Sequence, residues 1–374
     1  MRIGIEAQRI FRTKKHGMDI VALEIIKALQ IIDKENSYFI FVKKGSDICL
    51  EETENFKIVE VPGLTYADWE QIFLPIYALK YKLDILHCTS NTAPLAYKRK
   101  SIVTLHDVIF LENNVNQSNF SWYQNLGRIY RKAVVPSTVK KAERIITVSQ
   151  FEKNQILNKL KLNPNKVDVV YNAFGKHFNN GIDKELISNT KLKYNLPESY
   201  IFYIGNTDPK KNIFKTIRAY RTYCIGSIDP LPLVIADINE VFLDLVLEQT
   251  DTKSLKKNIV LTGYIFNQDL PAIYAGSVLF LYPSLRESFG IPVLEAMACS
   301  IPVITSNISA LPEIAGDAAK LVDPANEKSI GNAIIELLSN QSLTKEMVLK
   351  GLKRSELFNW NISANNLLNI YKTA

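Results

Sequence analysis

The 374-residue chain carries only four cysteines and four histidines, and neither set gathers in sequence. Cys49, Cys88, Cys224 and Cys299 show no C-x-x-C spacing, which argues against a sulfur-built metal site or a disulfide framework and leaves them as small core hydrophobes. His16, His87, His106 and His177 form no H-E-x-x-H pair, so a helix-borne zinc centre is not expected. No uninterrupted apolar run reaches the ~18 residues of a spanning helix. The start, MRIGIEAQRI, reads as a strand without the charged-then-apolar layout of a signal peptide, so a cytoplasmic location is expected. Neither G-x-G-x-x-G nor G-x-x-x-x-G-K-[ST] occurs, which removes the usual glycine-loop signatures of dinucleotide enzymes and P-loop NTPases. The net charge of +7 is modest for this length; it suits phosphates or a membrane surface as well as an ordinary basic protein, and nothing points to nucleic acid.

Length exceeds what one core usually supports, and 47% hydrophobic content is ample for two. Short apolar runs alternate with longer amphipathic stretches, the pattern of α/β layers with mostly parallel strands. The first series of expected strands is Arg2–Glu6, Tyr38–Val42, Lys57–Val61, Ile85–His87, Ser101–His106 and Arg144–Val148, with a helix over Asp19–Ile32 whose stripe is Val21, Ile25, Ala28, Leu29 and Ile32. The second is Tyr200–Ile204, Leu233–Ala236, Asn258–Thr262, Val278–Tyr282, Pro302–Ser306 and Ala319–Val322. Between them, residues 171–198 are rich in Asn, Gly and Lys and read as a linker. The expected division is a first doubly wound domain over 1–180, a second over 181–357, and a terminal helix within 358–374 returning to the first.

Open α/β sheets bind ligands beyond the carboxyl ends of their strands, so residues just after each strand take priority. After VLFLYPS the chain turns through RESFG, and IPVLEAMAC opens a helix in which Pro292 suits the first position. Amides from Ser288 through Phe289 and Gly290 to Ile291, with the positive end of the helix dipole, suit a phosphate or diphosphate, and Gly290 permits close backbone approach. Glu287 lies before this mouth and Glu295 about one turn inside it, so the two acids can flank a diphosphate. Glu295 is placed to accept from a ribose diol and Glu287 to hold a sugar. The competing explanation is that both simply favour a helix N-terminus.

The run SLRESFGIPVLEAMACSIPVITSNISALPEIAGDAAKLVDP closely resembles the donor-binding motif of retaining GT-B glycosyltransferases, in particular glycosyltransferase family 4. In order along the chain, FRTKKHGMDIVALEIIKAL, TLHDVIFL, IITVSQFEKNQIL, YIGNTDPKKN and NIVLTGYIFNQDLPAIYAGS are similar to further landmarks of that family. The resemblance implies two Rossmann-like domains facing a central cleft, and a nucleotide sugar as donor. It places Lys211 on the diphosphate, with Asn206 where a partner arginine is usual, a departure that Lys210 is available to offset. It places His106 against the transferred sugar, with His87 a second candidate and Asp107 orienting its loop. Gly17 falls in the first loop, where GMDI is bulkier than the family's glycine-rich version, and Tyr264 and Ile265 line the base pocket.

Transfer with retention is the implied chemistry, by a front-face route in which Lys211, the helix mouth and His106 position and stabilise, while Glu287 and Glu295 bind. No D-x-D pair is present to hold a divalent ion on a diphosphate, so neither metal nor cofactor is expected. Residues 121–144 hold six Lys/Arg and one acid, interleaved with Trp122, Tyr123 and Tyr130; such a stretch suits an anionic membrane bearing a lipid-linked glycan, or is an ordinary exposed helix face. By resemblance the acceptor is a lipid-linked or oligosaccharide glycan of surface-polysaccharide synthesis, with GDP-mannose or a UDP-sugar as donor. Two alternatives stand beside this: a nucleotide-sugar epimerase or phosphorylase on the same architecture, and a sugar-binding subunit without turnover.

Overall fold

The computed structural model describes residues 1–111 and 122–374, with side chains from 126 onward in the second stretch. The chain divides into two compact units, Met1–Asn172 together with Asn359–Ala374, and Ala173–Phe358. Residue 180 therefore lies inside the second unit, and the terminal helix Trp360–Thr373 belongs to the first.

In the first unit the strands are β1 (Arg2–Glu6), β2 (Ser37–Val42), β3 (Phe56–Glu60), β4 (Ile85–Cys88), β5 (Ser101–Thr104), β6 (Arg144–Thr147) and β7 (Val167–Val169), all parallel in the order β3-β2-β1-β4-β5-β6-β7. Strands buried on both faces need apolar residues at successive positions, and β2 supplies them with Tyr38, Phe39, Ile40, Phe41 and Val42 all buried. The helix Gly17–Ile32 starts where Asp19 turns back to accept from the His16 amide at 3.0 Å. Its buried face is wider than the expected stripe, adding Leu23 and Ile26, because it packs against the helix Trp360–Thr373 as well as the sheet. His87, in β4, is part of that seam: its Nδ1 meets the Tyr371 hydroxyl at 2.7 Å and its Nε2 the Thr104 hydroxyl at 2.7 Å.

The second unit holds β8 (Ile201–Ile204), β9 (Leu233–Ala236), β10 (Ile259–Gly263), β11 (Leu279–Tyr282), β12 (Val303–Ser306) and β13 (Lys320–Val322), again all parallel, in the order β10-β9-β8-β11-β12-β13. Its core is a sheet face of Ile201, Tyr203, Leu233, Ile235, Leu279 and Leu281 covered by helices such as Ile213–Gly226 and Glu327–Ser339. In both sheets the strand order reverses once, between β1 and β4 and between β8 and β11, and loops leaving such a point diverge to opposite faces and leave a crevice between them.

Candidate active site

Two loops leave the switch point of the second unit, one after β8 and one after β11. The first is coiled by its own short polar side chains: Asn206 Oδ1 accepts from the Asp208 amide at 2.9 Å, and Asp208 Oδ1 from the Lys210 amide at 3.0 Å. Asn212, in the left-handed region at φ 67°, then donates from Nδ2 to the carbonyls of Pro283 and Pro324 at 2.9 and 2.8 Å, while the Leu285 amide donates to the Lys210 carbonyl at 2.7 Å. The two loops are thereby laced together, and Lys211 is carried to the second.

Lys211 Nζ donates to Glu287 Oε1 at 2.7 Å and to the Tyr282 hydroxyl at 2.6 Å, and that hydroxyl donates in turn to the same carboxylate oxygen at 2.9 Å. The ammonium also lies 4.7 Å from the centre of the Tyr282 ring. Both charged side chains are only about 15% exposed, so the pair is shielded on most sides without being sealed from a ligand. Ser309 fixes the Glu287 backbone by accepting from its amide at 2.7 Å and donating to its carbonyl. Asn206 uses its oxygen within the loop, and Lys210 pairs with Asp208 at 3.2 Å, so neither brings charge to the Lys211 cluster by direct contact.

The helix after this loop is Ile291–Ala298, with Gly290 at its mouth. Pro292 is its second residue rather than its first; at either place its missing N–H is not needed. Gly290 has φ +111°, and a Cβ there would fall 2.7 Å from Leu311 Cδ2, so any side chain meets both a strained backbone and Leu311. Among the described residues the Gly290 and Ile291 amides have no protein acceptor. Phe289 is buried, its ring 5.8 Å from that of Phe358, and Ser288 precedes it.

Glu295 is the fifth residue of this helix, and the first turn holds no acid. That is the depth of about one turn expected from the sequence, and it weakens the dipole explanation, because the effect falls off beyond the first turn. Burial instead pushes the Glu295 carboxyl up to about 7, and the Tyr274 hydroxyl, donating to Oε2 at 3.2 Å, offsets only part of this. The two glutamates therefore have unlike surroundings, one beside an ammonium and the other beside a phenol. After β10, Ile265 is buried and Tyr264 is 64% exposed beside Phe266.

In the first unit His106 follows β5 and is held at both backbone and ring. Its amide donates to Asn91 Oδ1 at 2.7 Å, and its Nε2 meets the Thr89 carbonyl at 2.9 Å. A carbonyl only accepts, so Nε2 carries the proton and Nδ1 is left as an acceptor. Burial lowers the His106 pKa, which keeps the ring neutral. Asp107 accepts from the Ile109 amide at 3.0 Å and so orients the loop. His87 is no second candidate: buried, with both nitrogens bonded and its pKa lowered to about 3 by burial, it is a neutral core residue. Gly17 is exposed as the first residue of its helix, and a Cβ there would meet nothing within 4 Å. In the basic stretch, Ser121 and the side chains of Trp122 and Tyr123 lie outside the described residues.

Residues 186–354 match the family described as Glycosyl transferases group 1, and residues 17–174 match Glycosyltransferase Family 4. The chain is a GT-B glycosyltransferase of the family 4 type. It is similar to O-antigen chain mannosyltransferase B of Escherichia coli, 28% identical over 78% of this chain and 75% of that one. It is equally similar, at 28% identity over 71% of its length, to the serotype-specific mannosyltransferase WbdA of Escherichia coli, but spans only 32% of that protein. Among solved structures, Anabaena HepE in complex with UDP and glucose superposes with a TM-score of 0.73 over 100% of both chains at 15% identity, a likeness of fold.

Two features of the candidate site carry no linear signal. Tyr282, the last residue of β11, bridges Lys211 and Glu287, and Ser309 clamps Glu287 from 22 residues away. Only the rule that strand ends carry function points to the first. Among the described residues no three His, Cys, Asp or Glu side chains gather as they would around a metal ion.

Proposed function

We propose that this glycosyltransferase moves a sugar, with retention at the anomeric carbon, from GDP-mannose or a UDP-sugar to a glycan or lipid-linked oligosaccharide in surface-polysaccharide synthesis. The observation that carries the reading is the shielded Lys211–Tyr282–Glu287 cluster beside the open Gly290 and Ile291 amides at the switch point of a parallel sheet. An ammonium, a helix mouth and a glycine that lets backbone approach are what a diphosphate needs. Similarity to the Escherichia coli mannosyltransferases supports mannose and surface glycan, and the likeness to HepE, solved with UDP, keeps a UDP-sugar open.

In the proposed reaction the bond between the anomeric carbon and the diphosphate oxygen breaks first. The acceptor hydroxyl meets the oxocarbenium-like carbon from the same face, and its proton passes to the departing phosphate oxygen. Lys211 and the Gly290–Ile291 amides take up the negative charge that grows on that oxygen. Glu287 holds sugar hydroxyls and Glu295 the ribose diol, while neutral His106, with Nδ1 as an acceptor, positions the sugar. Tyr264 and Ile265 bound the base, Gly17 the acceptor side, and Asn206 and Ser288 to Phe289 shape the loops. The charge on the diphosphate is met by these groups, and the reaction is proposed to need neither metal nor cofactor.

No described helix is long and apolar enough to cross a membrane. Peripheral contact with an anionic membrane is the proposed arrangement, supported by Leu126 and Ile129, more than half exposed on the same helix as exposed Lys132, Lys140 and Lys141.

A thermal-shift panel of nucleotide sugars, followed by anomeric analysis of the product formed with candidate glycans, tests the reading. Retained configuration with chelator present is expected. Inverted product, chelator-sensitive turnover, sugar release or isomerisation without an acceptor, or binding without turnover each overturns a stated part of it.

A further inference from the structure

The carboxyl edge of the first sheet carries two arginines that rest on aromatic rings and, among the described residues, have no hydrogen-bond or ion-pair partner for the guanidinium. Arg9 lies in the loop after β1, its Cζ 4.8 Å from the centre of the Tyr66 ring, and its buried Nε has no hydrogen-bond partner. Arg131, on the helix Trp122–Lys141, lies 5.9 Å from the centre of the Phe110 ring, and no ion pair or hydrogen bond engages either guanidinium among the described residues. Arg131 is partly buried, and burial lowers its pKa, with Arg9 and Arg128 lowering it further and Asp107 and Tyr66 opposing them. Among the described residues neither guanidinium gains a hydrogen bond or an ion pair to offset its burial.

Glu70, which like Arg9 acts on Tyr66, uses its carboxylate on other donors. Buried in the π-helical turn Trp69–Phe73, it accepts from the Tyr66 hydroxyl at 2.8 Å, the Gln71 amide at 2.7 Å, and the hydroxyls of Thr92 and Tyr130. Those four donors tie the turn to the long helix and fix the Tyr66 ring on which Arg9 lies. Tyr66 also packs edge-on against Tyr130 at 5.9 Å. The arrangement thus orients two planar forks before any ligand arrives.

We propose that Arg9 and Arg131 grip an anionic group of the acceptor, a phosphate or a sugar carboxylate, with Glu70, Tyr66 and Tyr130 as positioning residues. The inference rests on the reading of the chain as a transferase with an acceptor side, but not on the donor or on Lys211.

Isothermal titration of the full chain with farnesyl diphosphate and digalacturonate, and with neutral farnesol and lactose, tests it. One anion at least is expected to bind more tightly than its neutral counterpart, with the loss of tenfold or more in Arg9→Met and in Arg131→Met and partial recovery in Arg9→Lys. Farnesyl diphosphate alone identifies a phosphate, digalacturonate alone a carboxylate. Circular dichroism melts establish folding; if Arg9→Met does not fold, Arg9→Lys and Arg131→Met carry the comparison. Anion affinity unchanged in the arginine variants, or no preference for either anion, overturns the proposal. Affinity for farnesyl diphosphate that falls in Lys211→Ala but not in the arginine variants does so too, while leaving the donor-site reading intact.

Discussion

Glu295→Gln should make the protein more stable at pH 8 and worse at binding nucleotide. The Glu295 carboxyl titrates at about 7 in the folded chain against an ordinary 4.5. Each pH unit of that difference is worth about 1.4 kcal/mol, so full ionisation costs the folded state about 3 kcal/mol, less where solvent reaches the group. The native chain keeps a proton that the unfolded chain has lost between pH 4.5 and 7; stability from this group is therefore complete below 4.5, falls as pH rises to 7, and is flat above. Glutamine carries no charge at either end and can still accept from Tyr274, so the variant should exceed the parent by roughly 1–3 kcal/mol at pH 8 and by nearly nothing at pH 4.5. In a unit of this size that is about 3–8 °C in melting temperature. Nucleotide affinity, measured at pH 8 by titration, should drop about tenfold because a ribose diol loses a charged acceptor. An equal margin at both pH values, or unchanged nucleotide affinity, would refute the reasoning.

Lys211→Met leaves the Glu287 carboxylate with the Tyr282 hydroxyl as its remaining side-chain donor, at a cost of about 1–3 kcal/mol in urea unfolding, and nucleotide binding falls at least tenfold. Adding Glu287→Gln should recover half or more of the stability and none of the affinity; a double variant no more stable than the single one counts against the ion pair. Gly290→Ala meets both a left-handed backbone and Leu311, and should lose about 2–3 kcal/mol in the same assay; a loss under about 0.5 would show that the turn adapts. His87 runs opposite in sign to Glu295. With its folded pKa near 3 against 6.5, the unfolded chain takes up the proton first, so stability from this group is complete above 6.5 and declines as pH falls, by about 2 kcal/mol at pH 5. An acid-unfolding profile unchanged by His87→Gln would contradict this.

Most strands were legible because a parallel sheet buried on both faces writes itself as short apolar runs. All six strands of the second unit and six of the seven in the first lie where those runs place them. The exception, β7, is three residues long, sits at the sheet edge and holds Asp168, whose carboxylate takes a bidentate bond from Arg144 at 2.7 and 2.8 Å. A half-polar edge strand gives no periodic signal. The site was legible wherever its residues share one loop, as from Glu287 to Glu295. It was not legible where the sheet brings distant segments together: His87 looked like a candidate only because its partner Tyr371 lies 284 residues away, and the Arg9 and Arg131 pair depends on two loops and a helix meeting at one edge.

The proposed donor site is electrostatically complete without being closed. An ammonium has three donors, and Lys211 uses two of them on Tyr282 and Glu287. The third remains for a phosphate oxygen, so a diphosphate need not break the pair to be held. Fixing a long side chain beforehand also removes an ordering cost of roughly 0.5–1.5 kcal/mol from binding. Glu287 in turn offers Oε2, since Lys211 and Tyr282 both converge on Oε1. The carboxylate that steadies the lysine is thus the one with an oxygen left for a sugar hydroxyl. Glu295, eight residues on and with the Tyr274 hydroxyl as its side-chain hydrogen-bond partner among the described residues, is free to change its charge with pH. Acids in one loop and its helix consequently take separate roles through their neighbours: the first is fixed by a cation, and the second becomes a full acceptor only as it ionises. Nucleotide affinity should therefore rise with pH through about 7 in the parent chain and lose that rise in Glu295→Gln, whereas Glu287→Gln should lower affinity at every pH alike.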